Sequence, residues 1–170
     1  MKRTLIFLLA TALINPTSIL AQDKSDTATM RYQNIPLGYS FEYADPFVVY
    51  DSEGKKDDMK PVVLVNSRNQ DTLRIDVFKN ANKKSLPIRA LIESEYPDTH
   101  PPEAFNVVRE VNTTGTQYIV KYQLKNGFYT ITFSTFNATD VIVTSYQSTI
   151  DFSIAPQAKT VIASIRTVKN

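Results

Sequence analysis

His100 is the only histidine in a chain of 170 residues that contains no cysteine. It stands in a proline-rich stretch, residues 97–103 (PDTHPPE), together with Asp98 and Glu103. Imidazole and carboxylates can ligate a divalent cation, and imidazole can serve as a general base. One histidine and two acids make a sparse set for either task. There is no thiol to activate, and no serine sits in a G-x-S-x-G elbow. A second acidic group, Asp51, Glu53, Asp57 and Asp58 around Gly54, offers the oxygens a hard cation needs. It misses the D-x-[DN]-x-[DN]-G spacing, and Lys55 and Lys56 neutralise it. Both groups read as solvated loops, so no catalytic residue, metal or cofactor is expected. Tyr118, Tyr122, Tyr129 and Tyr146 are the set that suggests contact with a ligand or partner, because tyrosine joins an apolar ring to a hydroxyl that water can reach. The competing role is cross-strand packing in a half-buried sheet. Asn112-Thr113-Thr114 and Asn137-Ala138-Thr139 match the glycan acceptor pattern at expected turns, which matters only in a eukaryotic secretory route.

The N-terminus bears on where such a surface would act. Lys2 and Arg3 precede an apolar run over residues 4–14, Asn15-Pro16 breaks it, and Ala21-Gln22 offers a cleavage point. That is the three-part design of a secretory signal peptide over residues 1–21. The run is shorter than the ~20 residues that span a bilayer, and no cysteine follows it to carry a lipid. A protein that is periplasmic or secreted, without a stable membrane anchor, is expected. A thiol-free composition suits an oxidising compartment. The formal charge is +2, and without Lys2 and Arg3 acids and bases balance. A neutral domain lacks the basic surface on which nucleic-acid binding depends, so no nucleic-acid partner is expected.

Residues 22–34 begin with a polar, aperiodic stretch and read as a flexible leader. A single domain is expected over residues 35–170. Residues 39–43 (YSFEY) alternate as a half-buried strand does. Residues 47–50 (FVVY), 62–65 (VVLV) and 72–78 (TLRIDVF) follow, the last two as a hairpin. Residues 85–96 predict a helix with Ser85 as N-cap and Pro87 in the first turn. Residues 105–111, 117–124, 128–136 and 141–149 predict a four-stranded antiparallel meander, with Asn126-Gly127 as the strongest turn signal. The last element is a helix capped by Ser153, with Ala158, Val161, Ile162, Ile165 and Val168 on one face. The expected class is α+β: an antiparallel sheet of about six to seven strands covered by two helices.

This order of elements, with the opening Leu37-Gly38-Tyr39-Ser40-Phe41-Glu42-Tyr43-Ala44-Asp45-Pro46 and the closing Ile162-Ala163-Ser164-Ile165-Arg166, resembles the PsbP-like, Mog-type α/β/α sandwich family. Ala44-Asp45 before Pro46 departs from the family's opening, where the proline tends to follow the strand directly. The resemblance covers most of residues 35–170 and implies an accessory or binding role, with no catalytic residues to carry over. The expected function is therefore that of an exported, soluble, non-enzymatic accessory protein acting through contacts with a protein partner in the periplasm or outside the cell. A small-ligand or lipid carrier, with its ligand between sheet and helix, is the alternative. A hydrolase using His100 or carboxylates is the more distant one.

Overall fold

The computed structural model describes residues 28–51 and 61–168. The expected signal peptide, the first part of the expected leader, and Glu53, Asp57 and Asp58 lie outside these residues. The elements run β1 (Met30–Asn34), β2 (Tyr39–Tyr43), β3 (Phe47–Asp51), β4 (Val62–Asn66), β5 (Thr72–Phe78), α1 (Ile88–Glu95), β6 (Phe105–Val111), β7 (Gln117–Leu124), β8 (Gly127–Phe136), β9 (Asp140–Ser148), α2 (Pro156–Ser164) and β10 (Arg166–Thr167). The class is α+β, with antiparallel pairing throughout.

The expected single sheet is two sheets. Seven strands form one, in the order β3-β4-β5-β9-β8-β7-β6. The meander supplies four of the seven, since short turns keep successive strands side by side. The other sheet is β1-β2-β10. Its presence corrects the leader boundary, because residues 30–34 form β1 rather than a flexible segment. The sequence MRYQN is polar enough to hide this. Its one aromatic, Tyr32, stacks on Phe41 with ring centroids 4.9 Å apart. Asn34 Oδ1 accepts from the Leu37 N–H at 3.0 Å, and Gly38 takes φ +69° to close the β1–β2 turn.

Both helices start later than expected. Ser85 has φ +50° and lies in the loop, and α1 begins after Pro87 without a side-chain cap. Asn82 organises the approach instead: its amide donates to the Leu86 carbonyl and accepts from the Leu86 N–H, both at 2.8 Å. The N-cap of α2 is Ala155, not Ser153, with Pro156 opening the helix. The helix also ends early. Ile165 is extended, and Arg166 and Thr167 pair with Ser40 and Tyr39. The Ser164 hydroxyl fixes this exit, accepting from the Glu42 N–H at 2.8 Å.

Two cores lie on opposite faces of the large sheet, and β9 shows the division. Ile142 and Tyr146 join a core with Tyr39 and Phe41 of β2, Leu73 and Ile75 of β5, and Ala158 and Val161 of α2. Val141 and Val143, one residue out of phase, join a core with Ile88, Leu91 and Ile92 of α1 and the alternate residues of β7 and β8. The small sheet and α2 thus cover the β3–β4–β5–β9 part of one face, and α1 covers the β9–β8–β7 part of the other. The remainder of each face has neither helix nor second sheet over it among the described residues.

Candidate functional site

The four tyrosines do not form one surface. Each is at most 4% exposed. Tyr118, Tyr122 and Tyr129 belong to the core under α1, and Tyr146 belongs to the opposite core. Register explains the split. Tyr118 faces Phe133 across β7–β8, and Phe133 faces Val143 across β8–β9. Tyr146, three residues beyond Val143, must point the other way. Tyr122 and Tyr129 are directly opposed and stack nearly parallel, centroids 5.0 Å apart. Burial pushes both hydroxyls above the ordinary tyrosine range, with Tyr129 and Glu103 adding to the effect on Tyr122. The rings pack in the two cores as cross-strand neighbours do.

Directly under α1 the packing against β8 and β9 leaves little space. A cavity lined by Phe78, Ile92, Phe133 and Val143 has a volume of about 10 Å³. That is scarcely enough for one water, too little for a lipid chain in that cavity as it stands.

His100 pairs with a cation instead of assembling with acids. Its Nδ1 lies 3.2 Å from the Arg109 guanidinium. Arginine can only donate, so Nδ1 accepts and the ring is neutral with its proton on Nε2. Burial and then the Arg109 charge hold its pKa below the ordinary value, against an opposing effect of Asp98. A general base is normally oriented by a group that accepts from its second nitrogen; an arginine there does the reverse. Among the described residues no three of His, Asp and Glu are grouped to hold a metal ion. The two sequon amides are engaged in their turns: Asn112 Nδ2 donates to Thr116 Oγ1 at 3.2 Å and Asn137 Nδ2 to Asp140 Oδ2 at 3.1 Å.

The feature that sequence reasoning missed lies on β3 and β4. Phe47, Val62 and Leu64 point into the core shared with β2 and α2. The alternate residues point outward, and they too are apolar. Val48 pairs with Val65 and Tyr50 with Val63, forming two adjacent cross-strand pairs on one face. Val48 is 46% exposed and Tyr50 40%, while Val63 and Val65 are half-buried. Strands apolar on both faces are normally covered on both, and here the outer face is on the part that α1 does not reach. The pairs continue into Arg74 and Thr72 of β5. Arg74 pairs with Asp76 at 2.7 Å, so the rim is charged but locally neutral.

The same quartet borders an edge strand. Natural edges are blunted by charges, prolines or bulges. The far edge, β6, has two of these devices: a register shift between Phe105 and Val108, then Arg109 and Glu110. On β3 the charge and the proline stand only at the ends, Asp51 and the preceding Pro46, and Phe47 to Tyr50 between them carry neither. The signal was present in the sequence as two unbroken apolar runs, FVVY and VVLV, where a half-exposed hairpin would alternate.

No family model matches the chain, and no curated protein matches it. Cyanobacterial PsbP is among its structural neighbours. The solution structure of that protein, from Synechocystis, is similar over 87% of this chain and 98% of its own, with 14% identity and a TM-score of 0.47. A crystal structure of a protein from Bacteroides thetaiotaomicron is similar over 82% of this chain and 48% of its own, with 17% identity and a TM-score of 0.49. Among the described residues no helix is long and apolar enough to cross a membrane.

Proposed function

We infer that the chain is an exported, non-enzymatic accessory protein that docks a protein partner on the outer face of β3 and β4. The observation that carries this reading is the Val48–Val65 and Tyr50–Val63 quartet, apolar and without a helix or second sheet over it among the described residues, on an edge hairpin. Exposed apolar groups that are contiguous and rimmed by polar residues mark interaction surfaces more than scattered ones do. A partner strand could add to the edge strand β3 through its backbone while its side chains meet the quartet. The N-terminal pattern of residues 1–21 supports export, and the engagement of His100 by Arg109 supports a role without catalysis.

The test is site-specific photocrosslinking in the native host, with a photoreactive residue at Val48 and, as control, at the exposed Lys159 of α2. A discrete protein adduct from position 48 alone, recovered from the periplasm or the medium, is the expected result. Equal crosslinking from both positions, or none from 48, refutes the docking surface. A mature N-terminus at Met1 refutes export independently.

A further inference from the structure

A cleft of about 230 Å³ opens beyond the C-terminal end of α1, between that helix, the proline-rich loop and strands β6 and β7. It is separate from the β3–β4 surface. Ile92, Tyr96 and Pro97 give it an apolar wall, and Thr99, Arg109 and Tyr118 contribute polar groups. Its one acid, Glu93, is already paired with Arg89 at 3.0 Å.

The polar groups that remain can all donate. Among the described residues Arg109 has no carboxylate partner, and its hydrogen bond goes to His100 Nδ1 at 3.2 Å. A neutral imidazole orients the guanidinium without neutralising it. Thr99 is 1% exposed, and its Oγ1 is buried with no hydrogen-bond partner. A buried hydroxyl left unsatisfied is costly and uncommon enough to need a reason. The Tyr118 ring is buried, and its hydroxyl feels the charges of Arg109, Glu93 and Arg89.

We propose that this cleft binds a small organic monocarboxylate, gripped by the Arg109 guanidinium and the Thr99 and Tyr118 hydroxyls, with its apolar body against Tyr96 and Pro97. The planar guanidinium matches a carboxylate with two parallel hydrogen bonds. One cation without an acid partner balances one negative charge, whereas a phosphate dianion would require a second and Arg89 is taken. The volume falls below the roughly 300 Å³ at which drug-sized pockets begin, which sets the ligand's size. The unpaired Thr99 hydroxyl then has a use that packing does not give it.

Chemical-shift titration of the ¹⁵N-labelled protein tests the proposal, with benzoate and acetate as carboxylates and benzamide and inorganic phosphate as controls. Benzoate should bind with a dissociation constant on the order of 1 mM and shift the amides of Thr99, Arg109 and Tyr118. Arg109→Gln should weaken it at least about tenfold, a difference of ~1.4 kcal/mol. Thr99→Val, equal in shape, should weaken it several-fold while leaving the protein as stable or more so. A purely structural Thr99 would leave binding unchanged. Equal shifts with benzamide or phosphate, full benzoate affinity in Arg109→Gln, or no response to either carboxylate would overturn the assignment.

Discussion

The Tyr146 hydroxyl donates a 2.6 Å hydrogen bond to Oδ2 of Asp71 inside the protein. Asn69 Nδ2 donates to the same oxygen at 2.9 Å, and the Asp71 carbonyl accepts from the Asn66 N–H at 2.8 Å. Asp71 therefore closes the β4–β5 turn and ties it to β9. Burial first, and then Asp71, push the Tyr146 hydroxyl above its usual range, so it stays a donor at any physiological pH.

Tyr146→Phe keeps the ring in its core and removes only this donor. Hydrogen bonds to charged groups contribute about 1.5–3 kcal/mol, and a loss of that size is expected in urea denaturation. A change below about 0.5 kcal/mol, the range of neutral surface substitutions, would show that the bond adds nothing to stability.

Asp140 sets the response to acid. Burial raises its pKa, but the Asn80 N–H, the Lys79 ammonium at 2.9 Å and the Asn137 amide outweigh burial, and the carboxyl titrates below its ordinary value. The folded state thus gives up this proton more readily than the unfolded one. The stability involved is present above the unfolded pKa, about 3.9, and lost as pH falls through the lower folded value. Asp140→Ala should cost about 2 kcal/mol near neutral pH, as loss of a buried hydrogen-bonded charge does. The gap from wild type should narrow on titration to about pH 2. A gap independent of pH would mean that packing alone is lost.

Much of this fold is legible in the chain because strand alternation and turn residues are local signals. The meander follows from Val120, Tyr122 and Leu124 alternating with Lys121 and Gln123, and from glycine and asparagine between the runs. What is not local is not legible. Which face of β9 carries Tyr146 depends on the pairing of Phe133 with Val143, and no spacing within one strand reveals that. The continuation of the apolar stripe through Ile165 predicts more helix, yet the chain leaves α2 at Ser164 and Arg166 and Thr167 pair with Ser40 and Tyr39 of β2. Likewise β1 is held by Phe41, nine residues away from Tyr32. The carboxylate cleft assembles from Thr99, Arg109 and Tyr118 only once the proline-rich loop folds against β6 and β7.

Gly127 answers to its neighbours as well as to its turn. Leu124 pairs with Gly127, so the two loop residues are Lys125 and Asn126, one position earlier than the Asn126-Gly127 signal implies. A Cβ at Gly127 would lie 2.7 Å from the Ser148 carbonyl oxygen, a backbone atom of β9 with little freedom to yield. Its φ of +154° also disfavours a side chain. Gly127→Ala should therefore destabilise by about 1–3 kcal/mol, the range for overpacking, and should raise amide exchange along β8 and β9. Wild-type stability in this variant would show that the strands separate at no cost.

His100 reports on the proposed cleft through Arg109. With its pKa lowered by burial and by the guanidinium, the imidazole should titrate below its ordinary value of about 6.5 in an NMR pH series. The unfolded chain then binds the proton more tightly than the folded one. The neutral ring's contribution is complete above about 6.5 and is lost as pH falls through the folded midpoint. Arg109→Gln should move the midpoint up, because it removes the second-largest cause and leaves burial and Asp98 in place. Benzoate held at Arg109 should move it up as well, by placing a negative charge beside the guanidinium. A midpoint at or above 6.5 in the wild type would break the link between the two residues. A midpoint that responds to Arg109→Gln but not to benzoate would leave the pair intact and remove the carboxylate from beside it.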